Sequence, residues 1–372
     1  MGSATHETDT VKIGVLLSLS GPLSATELWH LQGTMLGVDI VNSEGGINGL
    51  PLEPILCDPA SAAASYRMMA QELVDRHGLK NVFGCCSSDI RKTLISTFEQ
   101  HDALLWYPTQ FEGFEWSPNV LYGGSCPNQH TLPLADYLLD CDRSRHLIIG
   151  TDFGFPRTNN QVFRDHIESR GGQVLGEHYL PRGAPREHWM AVIEPYRGRC
   201  DAIFSTVVGG DNRPLFEAYH ALRLRPDRMP ITGFCLCEGT VAQMPGLYAG
   251  HISVMPYFES IGSHSNTQFL RRFRRRFGRQ ARANWPALTS CLQVQSFAAA
   301  ARLAGSDEAS AIIANISQVD LDSPTAGYSL DQDTHYSLVR PHVSVADGNG
   351  QFELLHVGSE VIRPDPYLIN TA

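Results

Sequence analysis

Short apolar runs alternate with longer amphipathic stretches from residue 11 onward, and the whole pattern then starts again. The first set of runs falls at 11–17, 52–57, 81–86, 103–107 and 119–123. Between them, Tyr66, Met69, Ala70, Leu73 and Val74 recur at helical spacing, as do Ile90, Leu94, Ile95 and Phe98. Short β runs separated by helices predict βαβ units and a parallel sheet. A second set of runs follows at 146–151, 173–180, 201–208, 231–237 and 252–258. Helical stretches at 159–169, 188–197, 212–223 and 238–244 separate these. Two successive sets predict two similar α/β lobes, and no glycine- or proline-rich linker divides them.

After residue 258 the rhythm changes. Helical stretches cover 266–277, 286–304 and 306–317, and a strand-rich tail carries the turn signal Asp347-Gly348-Asn349-Gly350. A tail that returns to earlier lobes makes the chain cross between them more than once, which is how a hinge is built. The expected division is residues 11–122 with 258–327 in one lobe and 123–257 with 328–372 in the other.

A chain of 372 residues is long enough for two domains, and 42% hydrophobic with 18% charged residues is ordinary globular composition. The net charge of −10 disfavours nucleic acid and anionic membranes as direct partners. No apolar run approaches the roughly 20 residues of a membrane helix. The start, MGSATHETDT, has neither the basic region nor the apolar stretch of a secretory signal. Nine cysteines without a CxxC pair suggest free thiols and a reducing compartment. The expected location is therefore cytoplasmic, with the periplasm as the alternative for a mature chain.

In open parallel sheets ligands bind beyond the carboxyl ends of the strands. Those ends carry Ser18 to Gly21, Cys86 to Ser88 and Tyr107 to Thr109 in the first set. In the second they carry Thr151 to Phe155, Thr206 to Gly210, and Cys237 with Glu238. Ser88 stands at a helix start, where it either caps the helix or contacts a ligand. Tyr107 and Phe111 fit a pocket or plain core packing. Nucleophile-elbow, zinc-protease, P-loop and dinucleotide signatures are missing, so neither catalysis nor a cofactor or metal is expected. The fifteen histidines are scattered, and each reads as a surface or core residue. The arginines between 271 and 282 read as the solvated face of a helix whose inner face carries Phe273 and Phe277. An amino acid needs partners for an ammonium and a carboxylate. Only Glu238 and Asp152 offer anions at the strand ends, and Arg91 and Arg157 lie further into their segments. A small neutral polar ligand fits better.

The stretch Asn42–Gly49 (NSEGGING) resembles branched-chain amino-acid-type binding proteins. More specific are Gly84–Lys92 (GCCSSDIRK), Leu104–Glu115 (LLWYPTQFEGFE), Ser117–Asn119, Tyr122–Gly124 and Pro127–Gln129. Thr151–Arg157 (TDFGFPR), Phe204–Gly209 (FSTVVG) and Arg363–Tyr367 (RPDPY) continue in register. Together these resemble the amide receptors of aliphatic amidase operons (AmiC-like) and the sister branch of urea- and short-chain-amide-binding transporter proteins. The resemblance runs nearly the whole chain. It implies the α/β type I periplasmic-binding fold, with two doubly wound parallel-sheet lobes and a multi-crossing hinge. It also implies a small amide or urea-like ligand.

By the same resemblance Ser88, Tyr107, Pro108, Thr109, Phe153, Thr206 and Val207 line the pocket, and Cys86, Phe155 and Glu238 join them as candidates. Two departures stand out: Cys86 replaces a bulky aromatic and Phe153 replaces a tyrosine. They predict a larger, less polar cleft, unless Trp106 or Phe155 fills the gap. The leading reading is a cytosolic amide sensor that releases an RNA-binding antiterminator protein when ligand binds. The alternative is a solute-binding receptor of a transporter for urea or short-chain amides. A homo-oligomer is left open.

Overall fold

The computed structural model describes residues 9–369. The first sheet is built from β1 (Val11–Leu16), β2 (Leu52–Cys57), β3 (Asn81–Gly84), β4 (Leu104–Tyr107) and β5 (Val120–Tyr122). Its spatial order is β2-β1-β3-β4-β5 and every pairing is parallel. The crossovers are α1 (Ser24–Ser43), α2 (Ala63–Asp75) and α3 (Ser88–Gln100).

The chain then enters the second lobe through α4 (Pro127–Asp140), β6 (Arg145–Thr151), α5 (Gly154–Ser169) and β7 (Gln173–Leu180). It continues with α6 (Arg186–Ile193), β8 (Ala202–Thr206), α7 (Asn212–Ala221) and β9 (Ile231–Gly233). Two short helices, α8 (Glu238–Val241) and α9 (Pro245–Tyr248), lead into β10 (Ile252–Met255). A return to the first lobe brings α10 (His264–Phe277), α11 (Trp285–Ala304) and α12 (Ala309–Ile316).

The tail forms a two-stranded pair, β11 (Ser329–Leu330) and β12 (Ser337–Leu338), and then β13 (His342–Ala346) and β14 (Phe352–Val357). The last two join the second sheet, whose order is β14-β13-β10-β9-β8-β6-β7. β13 runs antiparallel to β10, and β14 antiparallel to β13. The turn between them is tied by Asp347 Oδ1, which accepts from the backbone N–H groups of Asn349 and Gln351, both at 2.8 Å. Tyr336 still bridges to Tyr122 at the edge of the first sheet, with rings stacked 4.2 Å apart, so the chain crosses between Tyr336 and β13, and beyond β14 the Pro366 carbonyl accepts from the Phe114 N–H of the first lobe at 2.8 Å.

α1 and α11 press together closely enough to require glycine: a Cβ on Gly33 would sit 2.0 Å from the Ala287 carbonyl oxygen. α11 is buried along nearly its whole length, so it behaves as a core element rather than an amphipathic cover.

Candidate functional site

The lobes meet at their strand ends. Asp89 at the start of α3 faces Gly154 at the start of α5, where an added Cβ would lie 3.7 Å from the carboxylate. Gln110 Nε2 donates to the Phe234 carbonyl at 2.6 Å. Trp29 of α1 lies against Gly239 of α8, so closely that a Cβ there would be 2.6 Å from the indole. Between these contacts the strand ends of the two lobes face one another.

On the first lobe the wall begins with a sharp turn after β3. Gly84 takes φ 136°, and a side chain there would strike the Leu16 carbonyl at 2.2 Å. Cys85 follows in the left-handed region at φ 62°, a conformation that L residues adopt at a cost. The turn aims the Cys86 N–H at Glu27 Oε1, 3.0 Å away. Glu27 is fully buried and its other oxygen accepts from the Ser18 N–H and the Tyr66 hydroxyl. The Tyr107 hydroxyl donates to the Cys86 carbonyl at 3.1 Å. Thr109 Oγ1 lies 3.0 Å from His30 Nε2, whose other ring nitrogen is 2.9 Å from Ser290 Oγ. Burial pushes the His30 pKa down to about 3, so the ring is neutral. Pro108 is buried between Tyr107 and Thr109.

Ser88 does not cap α3. Ser87 holds the N-cap position without a side-chain bond, and the Ser88 hydroxyl donates to Glu112 Oε2 at 2.6 Å. Behind it Arg91, fully buried, pairs with Glu115 through Nε at 2.7 Å and Nη2 at 3.1 Å. Its guanidinium lies 4.5 Å from the Tyr107 ring centre and 4.7 Å from that of Phe111. Phe111 therefore takes the packing role.

The second wall is a stack of rings. Phe153 is the N-cap residue of α5 and lies 6.2 Å from Phe155, ring centre to ring centre. Phe155 meets Phe234 edge-on at 6.0 Å, and Phe204 and His130 support Phe234 from behind. Thr206 turns its hydroxyl inward to Asn160 Oδ1 at 2.8 Å, and Val207 is fully buried. Glu238 is 1% exposed. Its Oε1 accepts from the Glu259 N–H at 2.7 Å while Oε2 has no partner. Burial pushes its pKa up to about 8. The expected anion is therefore a neutral carboxyl at pH 7, able to donate as well as accept. Asp152, the other expected anion, pairs with Arg157 at 2.7 Å.

The two side chains expected to fill a gap at Cys86 have other partners. Trp106 stacks on Phe83 in the core, 5.2 Å away, and Phe155 belongs to the opposite wall. Arg182 does come near: it lies 4.6 Å from the Phe153 ring centre and its charge acts on the Cys86 thiol. Sequence reasoning did not single out Glu27, Trp29, His30, Glu112 or Arg182. Their partners are up to 260 residues away, as with Ser290 and His30, so no local spacing marks them.

In the arginine cluster Phe273 is buried as its spacing suggested, but Phe277 is half-buried against it and Phe269 is the second buried ring. Arg274 and Arg282 pair with Glu259 at 3.2 and 3.3 Å, and Arg276 pairs with Asp39 at 2.7 Å. A groove of about 570 Å³ lies outside the cleft between α5 and Phe114. Of its polar lining residues, Arg157, Gln161, Asp165 and Ser169 are exposed, Thr158 is half-buried, and the half-buried His166 is already paired with Asp136 at 2.7 Å. Among the described residues no helix is long and apolar enough to cross a membrane.

The family model of the periplasmic binding protein domain matches residues 11–372. The chain belongs to the periplasmic binding protein family. Among solved structures of this fold, a solute binding protein of an ABC transporter from Rhodopseudomonas palustris HaA2, in complex with p-hydroxybenzoic acid, is similar with a TM-score of 0.86. It is 17% identical and the match covers 98% of this chain and 100% of that one. The branched-chain amino acid transporter substrate binding protein of Streptococcus pneumoniae, in complex with isoleucine, gives 0.82 at 20% identity, covering 96% and 100%. At the sequence level the chain is similar to the leucine-, isoleucine-, valine-, threonine- and alanine-binding protein of Pseudomonas aeruginosa, 28% identical over 105 residues. That match spans 27% of each protein. The α/β periplasmic binding fold with parallel sheets is thus shown. The narrower likeness to amide receptors is not among these matches.

Proposed function

We propose that this periplasmic binding protein is a solute-binding receptor that closes on one small uncharged polar molecule, an amide or a urea, and presents it to a transporter. The observation that carries the ligand class is the charge state of the cleft. Arg91 is matched by Glu115 and Glu112, Glu112 also by Lys92, and Asp152 by Arg157. Glu238 and His30 are neutral through burial. Arg182, over Phe153, is an exposed side chain, so a charged solute would find no unmatched cation among the buried wall residues, and burying an unpaired charge is costly. The hydrogen-bonding groups that remain, with rings opposite, suit a neutral head and a small apolar body. Residues 11–122 with 258–336 would form one jaw and residues 123–257 with 342–357 the other, the crossing lying later than the boundary at 327 expected from the sequence. This role goes with an extracytoplasmic location.

A second reading has one observation in its favour. All nine cysteines are free thiols, which suits a cytosolic sensor that holds an RNA-binding antiterminator until amide arrives. It predicts a stable complex with such a protein that amide dissolves, and the receptor reading predicts none.

Thermal unfolding with acetamide, urea, benzamide, benzoate and leucine tests the ligand class. Solute at about 100 times its Kd adds about 2.7 kcal/mol by mass action. Stabilisation by amides or urea is expected; stabilisation by leucine alone would overturn the reading.

A further inference from the structure

Ser88 stands at the cleft with its hydroxyl already committed. The side chain is 4% exposed, and its proton goes to Glu112 Oε2 at 2.6 Å. Arg91 Nη1 donates to Ser88 Oγ from behind at 3.3 Å. Glu112 is 3% exposed and has no proton to return. Lys92 Nζ donates to its Oε1 at 2.8 Å and Arg91 Nη2 lies 3.9 Å away. Burial works against the carboxylate, but Arg91, Lys92 and Ser88 together hold Glu112 below the usual range. A hydroxyl has one proton and two lone pairs. Here the proton and one lone pair are spent inside the fold, and a single lone pair is left.

We infer that the Glu112–Ser88 pair is a polarity filter: Ser88 Oγ meets the solute only as an acceptor, so the cleft selects primary amides and ureas over carboxylates of the same shape. A free serine would rotate its proton to suit either head group. This one requires an N–H opposite it. Beside it, the first N–H groups of α3 have no acceptor within the helix. The wall therefore offers a donor next to an acceptor, which complements the C=O and N–H of one amide. A carboxylate brings two acceptors, and one of them would face the Ser88 lone pair. The inference rests on the cleft being the solute site. Glu112 does not touch the solute; it is a positioning residue acting through Ser88.

The test is calorimetric titration of the intact protein at neutral pH with isosteric pairs, acetamide against acetate and benzamide against benzoate. The wild-type protein should bind each amide at least about tenfold more tightly than its carboxylate, the scale of one hydrogen bond replaced by an unmade one. In Glu112→Gln the new amide can donate to Ser88 and release the hydroxyl proton, so the ratio should fall to within about threefold. Ser88→Ala leaves Glu112 in place and covers the case in which Glu112→Gln does not fold. It should weaken the amide and leave the carboxylate unchanged or tighter. Equal weakening of both members by Ser88→Ala, or an unchanged ratio in a folded Glu112→Gln, overturns the filter. Wild-type protein that binds benzoate as tightly as benzamide overturns the filter while sparing the cleft as the site. Binding of neither member of either pair overturns both.

Discussion

On the first lobe the cleft wall is a network of fixed polar groups, with Glu27, His30, Ser88, Tyr107, Arg91 and Glu112 each held by one or more named partners. On the second it is a stack of rings, Phe153, Phe155, Phe234 and Phe204, with the Thr206 hydroxyl turned away into the lobe. A polar network in a low-dielectric setting orients a head group at a defined angle and is expensive to disturb. A ring stack excludes water and measures size but imposes little direction. The first wall should therefore decide what kind of solute binds, and the second how large it is.

The two lobes should part company first in acid. His130, His146 and His342, in the second lobe, have pKa values pushed down to about 4 by burial, and His251 there to about 3. Among the described residues of the first lobe only His30 is shifted this far. An unfolded histidine takes up a proton near pH 6.5, whereas these do so only near 3 to 4. Their contribution is therefore intact above about 6.5 and is lost as the pH falls, by up to about 3 kcal/mol each near pH 4. Hydrogen exchange at pH 5 should show β6, β10 and β13 opening before β1 and β3. Simultaneous opening would break the contrast.

Arg91→Met is the next largest change. It leaves Glu115 without its cation and Glu112 with Lys92 alone, and should cost about 3–5 kcal/mol in urea unfolding. Glu238→Gln acts in the opposite sense. The carboxyl of Glu238 is protonated when folded up to about pH 8 but ionises from about 4.5 when unfolded. The wild-type protein therefore loses stability between those values, and the variant should not. Urea midpoints at pH 6 and pH 8 decide it, and parallel curves would contradict the buried, neutral carboxyl.

The smallest effect concerns size. If the space at Cys86 is open, each methylene added to an amide should gain about 0.8 kcal/mol, close to fourfold in affinity. Cys86→Tyr should remove that gain for butyramide and benzamide but not for acetamide. Affinity that falls steadily with size would mean that Arg182 occupies the space.

The strands and their order of appearance were legible because each is a short apolar run closed by small or polar residues. The same pattern places Cys86, Ser88, Tyr107 and Thr109 at or just after strand ends, and their contact with a solute belongs to the proposal. Their wiring was not. Ser88 meets Glu112 across 24 residues and Cys86 meets Glu27 across 59. Charge state was also hidden: Glu238 reads as an anion in sequence and is neutral by burial. Arg182 escaped notice because it belongs to a loop after β7, not to a strand end.

The two-walled cleft is tested most directly by the fluorescence of Trp29, which lies against Gly239 of the opposite lobe, while Trp106, Trp189 and Trp285 are fully buried in the cores. Titration with acetamide or urea should give a saturable change that matches the thermal stabilisation and disappears in Trp29→Phe. Stabilisation by amide with no change at Trp29 would place the solute elsewhere and contradict closure of the two walls around it.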